Sequence, residues 1–307
     1  MSTKKKAKTT VNGIFNINKP SGKTSQDIVS SIRHISGQRY VGHAGTLDPL
    51  ATGVLPICLG QAARMSAFIM ETPKTYIAEV LLGISTDSYD AEGKILQETD
   101  PSYVTREQVE VLLPSLTGTI LQKPPAYSAL KHQGKRFYEL ARAGIDIKPD
   151  AREVRVYRLE LLEWKPPRFV IEVECGKGTY IRSIAHDIGQ SLGCGAHIAA
   201  LRRTRYGPFD IEDSISLPQL EDAFANGYWP ELLYPMDFVL QDWAAVILNE
   251  EHERAIRNGR PIPYAAGDIA TRCRAYSTDG RFIAILRSLP DSGLLQPDKV
   301  FLAEQND

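Results

Sequence analysis

The sequence lacks any apolar run near the roughly 18 residues that a membrane-spanning helix needs. Its start, MSTKKKAKTT, also lacks the apolar stretch of a signal peptide. These two absences predict a cytoplasmic protein with no membrane partner. Cysteine is scarce as well: Cys58, Cys175, Cys194 and Cys273 stand far apart, with no pair at the short spacings of zinc or redox motifs. They read as reduced, mostly buried thiols, and no metal site is expected. Neither sign of charge is in clear excess, since 36 Lys and Arg face 37 Asp and Glu. Taken as a total, that balance argues against a nucleic-acid partner, because phosphate contacts need Lys and Arg.

The distribution of charge reverses that reading. Residues 1–122 carry 12 basic and 11 acidic side chains, residues 123–205 carry 16 and 9, and residues 206–307 carry 8 and 17. The basic excess is therefore confined to the middle third. Residues 206–244 hold eight acids and no Lys or Arg, so this segment should face away from any polyanion. With 307 residues and 43% hydrophobic side chains, the chain is long enough for one sizeable domain and a small one.

Three local patterns invite a cofactor or metal and fail. Ser21-Gly22-Lys23-Thr24 ends like a phosphate-binding loop, but the glycine required five residues before Gly22 is Ile17. Asp87-Ser88-Tyr89-Asp90-Ala91-Glu92-Gly93 lacks the alternating ligands and terminal Glu of a calcium loop and reads as a solvated hairpin turn. His252-Glu253 has no second His at helical spacing, so a zinc helix is excluded.

Along the chain, residues 1–12 read as a flexible basic tail, GIFNIN from Gly13 as a strand, and Thr24 as the cap of a helix with Ile28, Ile32 and Ile35 on one face. Asp27 stands where a capping box would place it. YIAEVLL from Tyr76 alternates as a strand, Thr105–Leu116 reads as a capped helix, and residues 123–158 as a basic, irregular excursion. Arg168–Cys175 alternates again, and GTYIRSIAHDIGQSL from Gly178 has helical spacing. Strands mixed with helices but without regular βαβ alternation predict a mixed α/β domain over residues 13–244. From Ala245 the runs shorten between turn signals, which predicts a small β domain over 245–307.

The most informative stretch is GHAGTLDPLATGVL, from Gly42 to Leu55. Three glycines permit a tight loop. Pro49 biases Asp48 out of the helical region and so fixes how its carboxylate is presented. Alone, Asp48-Pro49 would be an ordinary turn dipeptide.

The whole string, however, resembles the catalytic loop of TruB-type pseudouridine synthases. Asn18-Lys19-Pro20-Ser21-Gly22, Lys74-Thr75-Tyr76, KGTYIRS from Lys177, and GCGAH with LRRT up to Thr204 resemble further segments of that family, in order. The likeness runs from about Gly13 to Tyr206 and resumes from Gly259 to Phe301, which is similar to the PUA-like module of these enzymes. It implies a pseudouridine synthase fold with a mixed, largely antiparallel sheet. The implied reaction is isomerisation of uridine to pseudouridine at position 55 in the T-arm of tRNA, by a monomer with no cofactor and no obligatory protein partner.

By the same resemblance, Asp48 is the essential carboxylate, either attacking C1′ or taking a proton from the sugar. Arg182 pairs with it and Tyr76 stacks on the extruded base. His43 fills the gap left in the RNA stack, Tyr180 and Leu201 complete the pocket, and Lys19 and Pro20 support the loop. The excursion holds nine basic and four acidic residues interleaved with aromatics. In position it resembles the insertion that grips the T-arm, with Lys131, Lys135 and Arg136 as its contacts. Two rival readings are a tRNA-binding chaperone without chemistry and a synthase working inside a guide-RNA particle. The set Asp48, Tyr76 and Arg182 speaks against the first, and the extended basic excursion against the second.

Overall fold

The computed structural model describes residues 11–127, 131–132, 135–137, 149–264 and 271–301. The expected tail lies outside them up to residue 10, as do residues 128–130, 133–134 and 138–148 of the stretch expected to grip RNA. The strands of the larger unit are β1 (Gly13–Lys19), β2 (Val41–His43), β3 (Thr52–Leu59), β4 (Lys74–Leu82), β5 (Ile84–Thr86), β6 (Ile95–Glu98), β7 (Gly118–Gln122), β8 (Lys131–His132), β9 (Lys135–Arg136), β10 (Arg152–Lys165), β11 (Arg168–Cys175), β12 (Ala196–Tyr206) and β13 (Phe209–Asp210). Its helices are α1 (Ser25–Ser36), α2 (Ser66–Glu71), α3 (Arg106–Leu112), α4 (Ile181–Ser191) and α5 (Leu217–Asn226).

Nine strands form one sheet in the order β1-β3-β12-β4-β11-β10-β7, with β2 on β3 and β13 on β12. Only β3 and β12 run parallel, at Arg202↔Thr52 and Arg203↔Gly53. The sheet is thus mixed and largely antiparallel, as the sequence predicts. Period-two alternation in β4 buries Lys74, Tyr76, Ala78, Val80 and Leu82 on one face. Ile28, Val29 and Ile32 of α1, Val109 of α3, Ile181, Ile184 and Ile188 of α4 and Leu220 of α5 close the same core. The helix starts follow their local chemistry: Thr24 with Asp27, Thr105 with Gln108 and Ser216 with Gln219 each form a capping box.

Several readings need correction. Residues 152–158 are not irregular, because Arg152–Lys165 is one long strand between β7 and β11. Alternating charged and apolar residues hid it inside a basic stretch. The helix expected over Thr105–Leu116 becomes a 3₁₀ turn at Leu113–Leu116, where Pro114 lacks the N–H that would continue it. Thr52–Leu59, seven of whose eight residues are buried, is a strand that Pro56 disguised.

The second unit has strands β14 (Ala245–Leu248), β15 (Ile262–Pro263), β16 (Arg272–Ser277), β17 (Phe282–Leu289) and β18 (Leu294–Val300), in the order β14-β16-β17-β18-β15. A helix, α6 (Glu250–Arg257), which the run lengths did not reveal, covers them. Among the described residues, no helix is long and apolar enough to cross a membrane.

The acidic segment runs beside β1. Ile14 and Tyr234 exchange both backbone hydrogen bonds at 2.9 Å, and Ile215 bonds to Asn16 and Asn18. It therefore lies at one edge of the sheet, while the basic excursion leaves from β7 at the other.

Met65, Leu240, Ile285 and Phe301 form a separate buried cluster that joins the two units. Arg64 Nη1 donates to the Val300 carbonyl at 2.6 Å, and Lys299 Nζ donates to the Arg64 carbonyl at 2.9 Å. Phe301 is fully enclosed here. Phe301→Ala should therefore cost about 3–5 kcal/mol in denaturant unfolding, the usual range for a buried phenylalanine. A loss below about 1 kcal/mol would mean that this cluster does not hold the units together.

Candidate active site

Residues 44–51 connect β2 to β3 and are pinned from beneath. The Lys19 side chain is fully buried, and its Nζ donates to the carbonyls of Pro20, Lys23 and Pro49 at 2.9, 2.6 and 3.1 Å. Gly22 N also donates to the Pro49 carbonyl, at 2.9 Å, and Ser21 Oγ to that of Leu50 at 3.2 Å. The stretch that imitates a phosphate-binding loop thus holds the Asp48 turn in place. On the other side, Ser25 Oγ accepts from Leu47 N and donates to its carbonyl. Burial lowers the Lys19 pKa to about 8, opposed by the Asp48 charge.

Gly45 and Gly53 have φ of 90° and 98°, values that side chains resist. A Cβ on Gly53 would lie 2.2 Å from the Arg203 carbonyl, and one on Gly45 would lie 2.8 Å from the Tyr206 hydroxyl. Both glycines are needed for close approach to β12.

Arg182, in the first turn of α4, is 4% exposed, with one ion-pair contact to Asp48 and hydrogen bonds to three further groups. Its Nε forms an ion pair with Asp48 Oδ2 at 2.9 Å. Nη1 donates to Asp90 Oδ2 at 3.1 Å and the Ser88 carbonyl at 2.9 Å, and Nη2 to the Tyr127 carbonyl at 2.9 Å. A buried guanidinium needs such acceptors, since removal from water is costly.

Asp90 does not lie in a solvated turn, contrary to the pattern of its acidic run. It is buried, accepts from Ser88 Oγ at 2.5 Å and Glu92 N at 3.1 Å, and is the second carboxylate of the site. No spacing in the acidic run marks it. The one available signal is chemical: Asp48 alone cannot satisfy a buried arginine.

A pocket of about 270 Å³ opens on this pair, lined by Asp48, Lys74, Tyr76, Tyr180, Arg182, Leu201, Arg203, Tyr206 and the loop around them. Five of the expected residues, Asp48, Tyr76, Tyr180, Arg182 and Leu201, therefore meet. Tyr76 comes from β4 and Leu201 from β12, opposite Ala78. Tyr180 precedes α4 and exchanges hydrogen bonds with the Gln122 side chain at 2.8 and 3.0 Å. Lys19 supports the loop without lining the pocket, and Pro20 lends it a carbonyl. His43 ends β2 opposite Ile57 and does not line the pocket. Lys131 and Arg136 pair in a two-stranded ribbon, as do His132 and Lys135; the side chains of Lys131, Lys135 and Arg136 lie outside the described residues. Sequence reasoning missed Lys74, Arg203 and Tyr206, as well as Asp90. A broader groove between α3 and β10 is lined by Glu110, Leu113, Pro114 and Leu159 and holds no comparable group of charges.

Opposed forces act on Asp48. Enclosure raises its pKa most, the Arg182 cation lowers it, and the Asp90 charge raises it again, with a net upward shift. Its side chain keeps 32% of its surface open to the pocket, so solvent moderates that rise. The arrangement offers one oriented carboxylate beside an aromatic ring, in a pocket large enough for a flipped base. It suits covalent or proton-transfer work at a sugar carbon. Among the described residues, no cluster of three His, Cys, Asp or Glu could hold a metal ion.

A family model described as TruB family pseudouridylate synthase (N terminal domain) matches residues 33–181, and one described as tRNA pseudouridylate synthase B C-terminal domain matches residues 182–241. The chain is 42% identical over 294 residues to tRNA pseudouridine synthase B of Dehalococcoides mccartyi, covering 96% of this chain and 98% of that protein. It is 40% identical over 307 residues to the protein of the same name from Stutzerimonas stutzeri, covering 99% and 100%. Among solved structures, a chain of a Cbf5-Nop10-Gar1 complex aligns with a TM-score of 0.73 at 27% identity, over 95% of this chain and 85% of that one. The fold is that of a pseudouridine synthase. The chain belongs to the TruB family of these isomerases.

Because only ionised Asp48 can act as nucleophile or base, activity should fall as pH drops through its pKa. The upward shift places that acid limb above the ordinary aspartate value of 3.8. Single-turnover rates across pH, beside a binding titration at each pH, check this. A limb at or below 3.8 would show that Arg182 outweighs burial.

Proposed function

We propose that this isomerase converts one uridine in the T-arm of tRNA, at position 55, to pseudouridine, acting in the cytoplasm as a monomer without cofactor. The observation that carries the reading is the Asp48–Arg182 ion pair at the pocket lined by Tyr76. The two relatives are named for a tRNA substrate, and the basic middle third of the chain suits a polyanion.

In this reading the target base leaves the RNA stack and lies against Tyr76, between Tyr180 and Leu201. Asp48 then attacks C1′, or removes a sugar proton. The C1′–N1 bond breaks, and the base takes the bonding pair. Uracil turns and C5 attacks C1′, which expels the Asp48 carboxylate in the first route or is accompanied by return of the sugar proton from Asp48 in the second; C5 then loses its proton and N1 takes one up, so that Asp48 is regenerated and no atom is gained or lost. Arg182 orients the Asp48 oxygens throughout. His43, one residue before the loop, fills the place the base has left. The acidic edge beside β1 faces away from the RNA, while the excursion after β7 grips it.

The deciding experiment is Asp48→Asn, which keeps shape and removes the charge. Pseudouridine formation in a T-arm transcript, with enzyme in excess, should fall at least about 10³-fold while RNA affinity changes little. Arg182→Ala should lower turnover more than affinity, and Arg182→Lys should restore only part, because an ammonium cannot reproduce the fork. An active Asp48→Asn protein would sink the mechanism. Wild-type protein forming no pseudouridine on naked RNA would point instead to a particle-bound synthase, a reading raised by the likeness to a chain solved within a complex.

Binding is tested separately at the excursion. Neutralising Lys131, Lys135 and Arg136 together should weaken RNA affinity and flatten its dependence on salt, by up to about three counterions in the log–log slope. The rate at saturating RNA should change far less. An unaltered slope would remove these side chains from the interface.

A further inference from the structure

The Tyr76 side of the pocket contains two more cations that the Asp48–Arg182 pair does not use. Arg203 is 2% exposed and Lys74 is 7% exposed. Among the described residues neither has a carboxylate at ion-pair distance; Glu71, three residues before Lys74, pairs with Lys177 instead. Arg203 Nε donates to the Val54 carbonyl at 2.7 Å and Nη1 to the Tyr76 hydroxyl at 3.4 Å, while Nη2 has no hydrogen-bond partner among the described residues. Its guanidinium carbon lies 4.6 Å from the centre of the Tyr206 ring and 5.9 Å from that of Tyr76. Lys74 Nζ stands 4.7 Å from the Tyr206 centre and donates to the carbonyls of Met70 and Thr72.

A packing role explains the bond to Val54 but not the charge. An uncompensated buried guanidinium is costly, and an apolar side chain of similar length would fill the space without that cost. Fixed positive charge at an enclosed site is useful where negative charge develops during reaction. Such charge develops here on the base. By either Asp48 route, heterolysis of C1′–N1 leaves the electron pair on uracil, spread over N1, O2 and O4, until C5 bonds to C1′ and releases a proton.

We propose that Arg203, supported by Lys74, is a positioning residue that holds Tyr76 at its hydroxyl and stabilises the uracil anion across it. The proposal rests on the reading of the pocket as a uracil site. Arg203 need not touch the base, since its field acts across Tyr76, and its bond to Val54 couples the ring to the strand leaving the Asp48 loop.

The test is Arg203→Met, compared with wild type on two T-arm transcripts, one with uridine and one with 5-fluorouridine at the target position. Fluorine makes the departing base a more stable anion, so help from the protein matters less. With uridine, the single-turnover loss of substrate should slow roughly 10- to 100-fold. With 5-fluorouridine, the defect in glycosidic cleavage should shrink several-fold, and RNA affinity should stay within about twofold. Arg203→Lys, which keeps the charge, should retain more of the rate than Arg203→Met. Equal defects on both transcripts would reduce Arg203 to a packing residue and overturn the proposal, as would a defect confined to RNA affinity. If Arg203→Met does not fold, Lys74→Met carries the same comparison, with a smaller effect in the same direction. A wild-type protein inert on both transcripts would defeat the functional reading itself, an outcome distinct from these.

Discussion

The guanidinium of Arg182 is the group on which the rest of the site depends. It is enclosed, permanently charged and equipped with five donors in a rigid plane, so its surroundings must supply acceptors from several directions. They do so from four parts of the chain: Asp48 on the loop before β3, Ser88 and Asp90 between β5 and β6, and Tyr127 at the root of the basic excursion. One side chain thereby fixes the relative places of the Asp48 carboxylate, the acidic hairpin and the start of the basic excursion. Asp48 and Asp90 share the compensation of this buried charge, so losing one carboxylate leaves the other to balance it.

Around that centre the sheet does the sorting. The adjacency of β3, β12 and β4 brings the Asp48 loop, Leu201 with Arg203, and Tyr76 to one place, although they are far apart in sequence. The closeness has a backbone cost. Gly53 meets Arg203 where no Cβ fits, and Gly45 does the same beneath the Tyr206 hydroxyl. Lys19 completes the arrangement by satisfying three carbonyls at the base of the turn.

Much of this was legible in the sequence wherever one local rule governed the outcome. Thr24 with Asp27 marked the start of α1, and the alternation in β4 assigned Tyr76 to the inner face. The Gly-rich string and its companion motifs pointed to Asp48, Tyr76, Tyr180, Arg182 and Leu201 together. What stayed hidden depends on partners distant in the chain. Asp90 looked solvated because nothing near it in sequence shows that Arg182 descends on it. Lys74 and Arg203 stand inside the matched motifs with no role of their own in the sequence, and only the β12–β4 pairing encloses them. The strand Arg152–Lys165 was obscured by its charged residues, one of which, Arg158, meets Glu172 and Glu174 of β11 only after pairing. Helix α6 is so polar that its single buried residue, Ile256, gives little pattern to read.

The placement of charge on opposite edges of the sheet has a consequence for encounter kinetics. The chain is nearly neutral as a whole, so a distant polyanion exerts almost no net force on it. It does exert a torque, because the segment 206–244, with eight acids and no Lys or Arg, runs beside β1 while the basic excursion leaves from β7. The molecule behaves as an electric dipole whose axis follows the strand order. In the field of an RNA it turns before it touches, and the fraction of collisions arriving basic edge first rises above that of random orientation. Added salt shortens the range over which that turning acts, to about 8 Å at physiological ionic strength. Productive approach is thereby selected by rotation, with little of the nonspecific adhesion that a uniformly basic protein would show toward every other polyanion it meets.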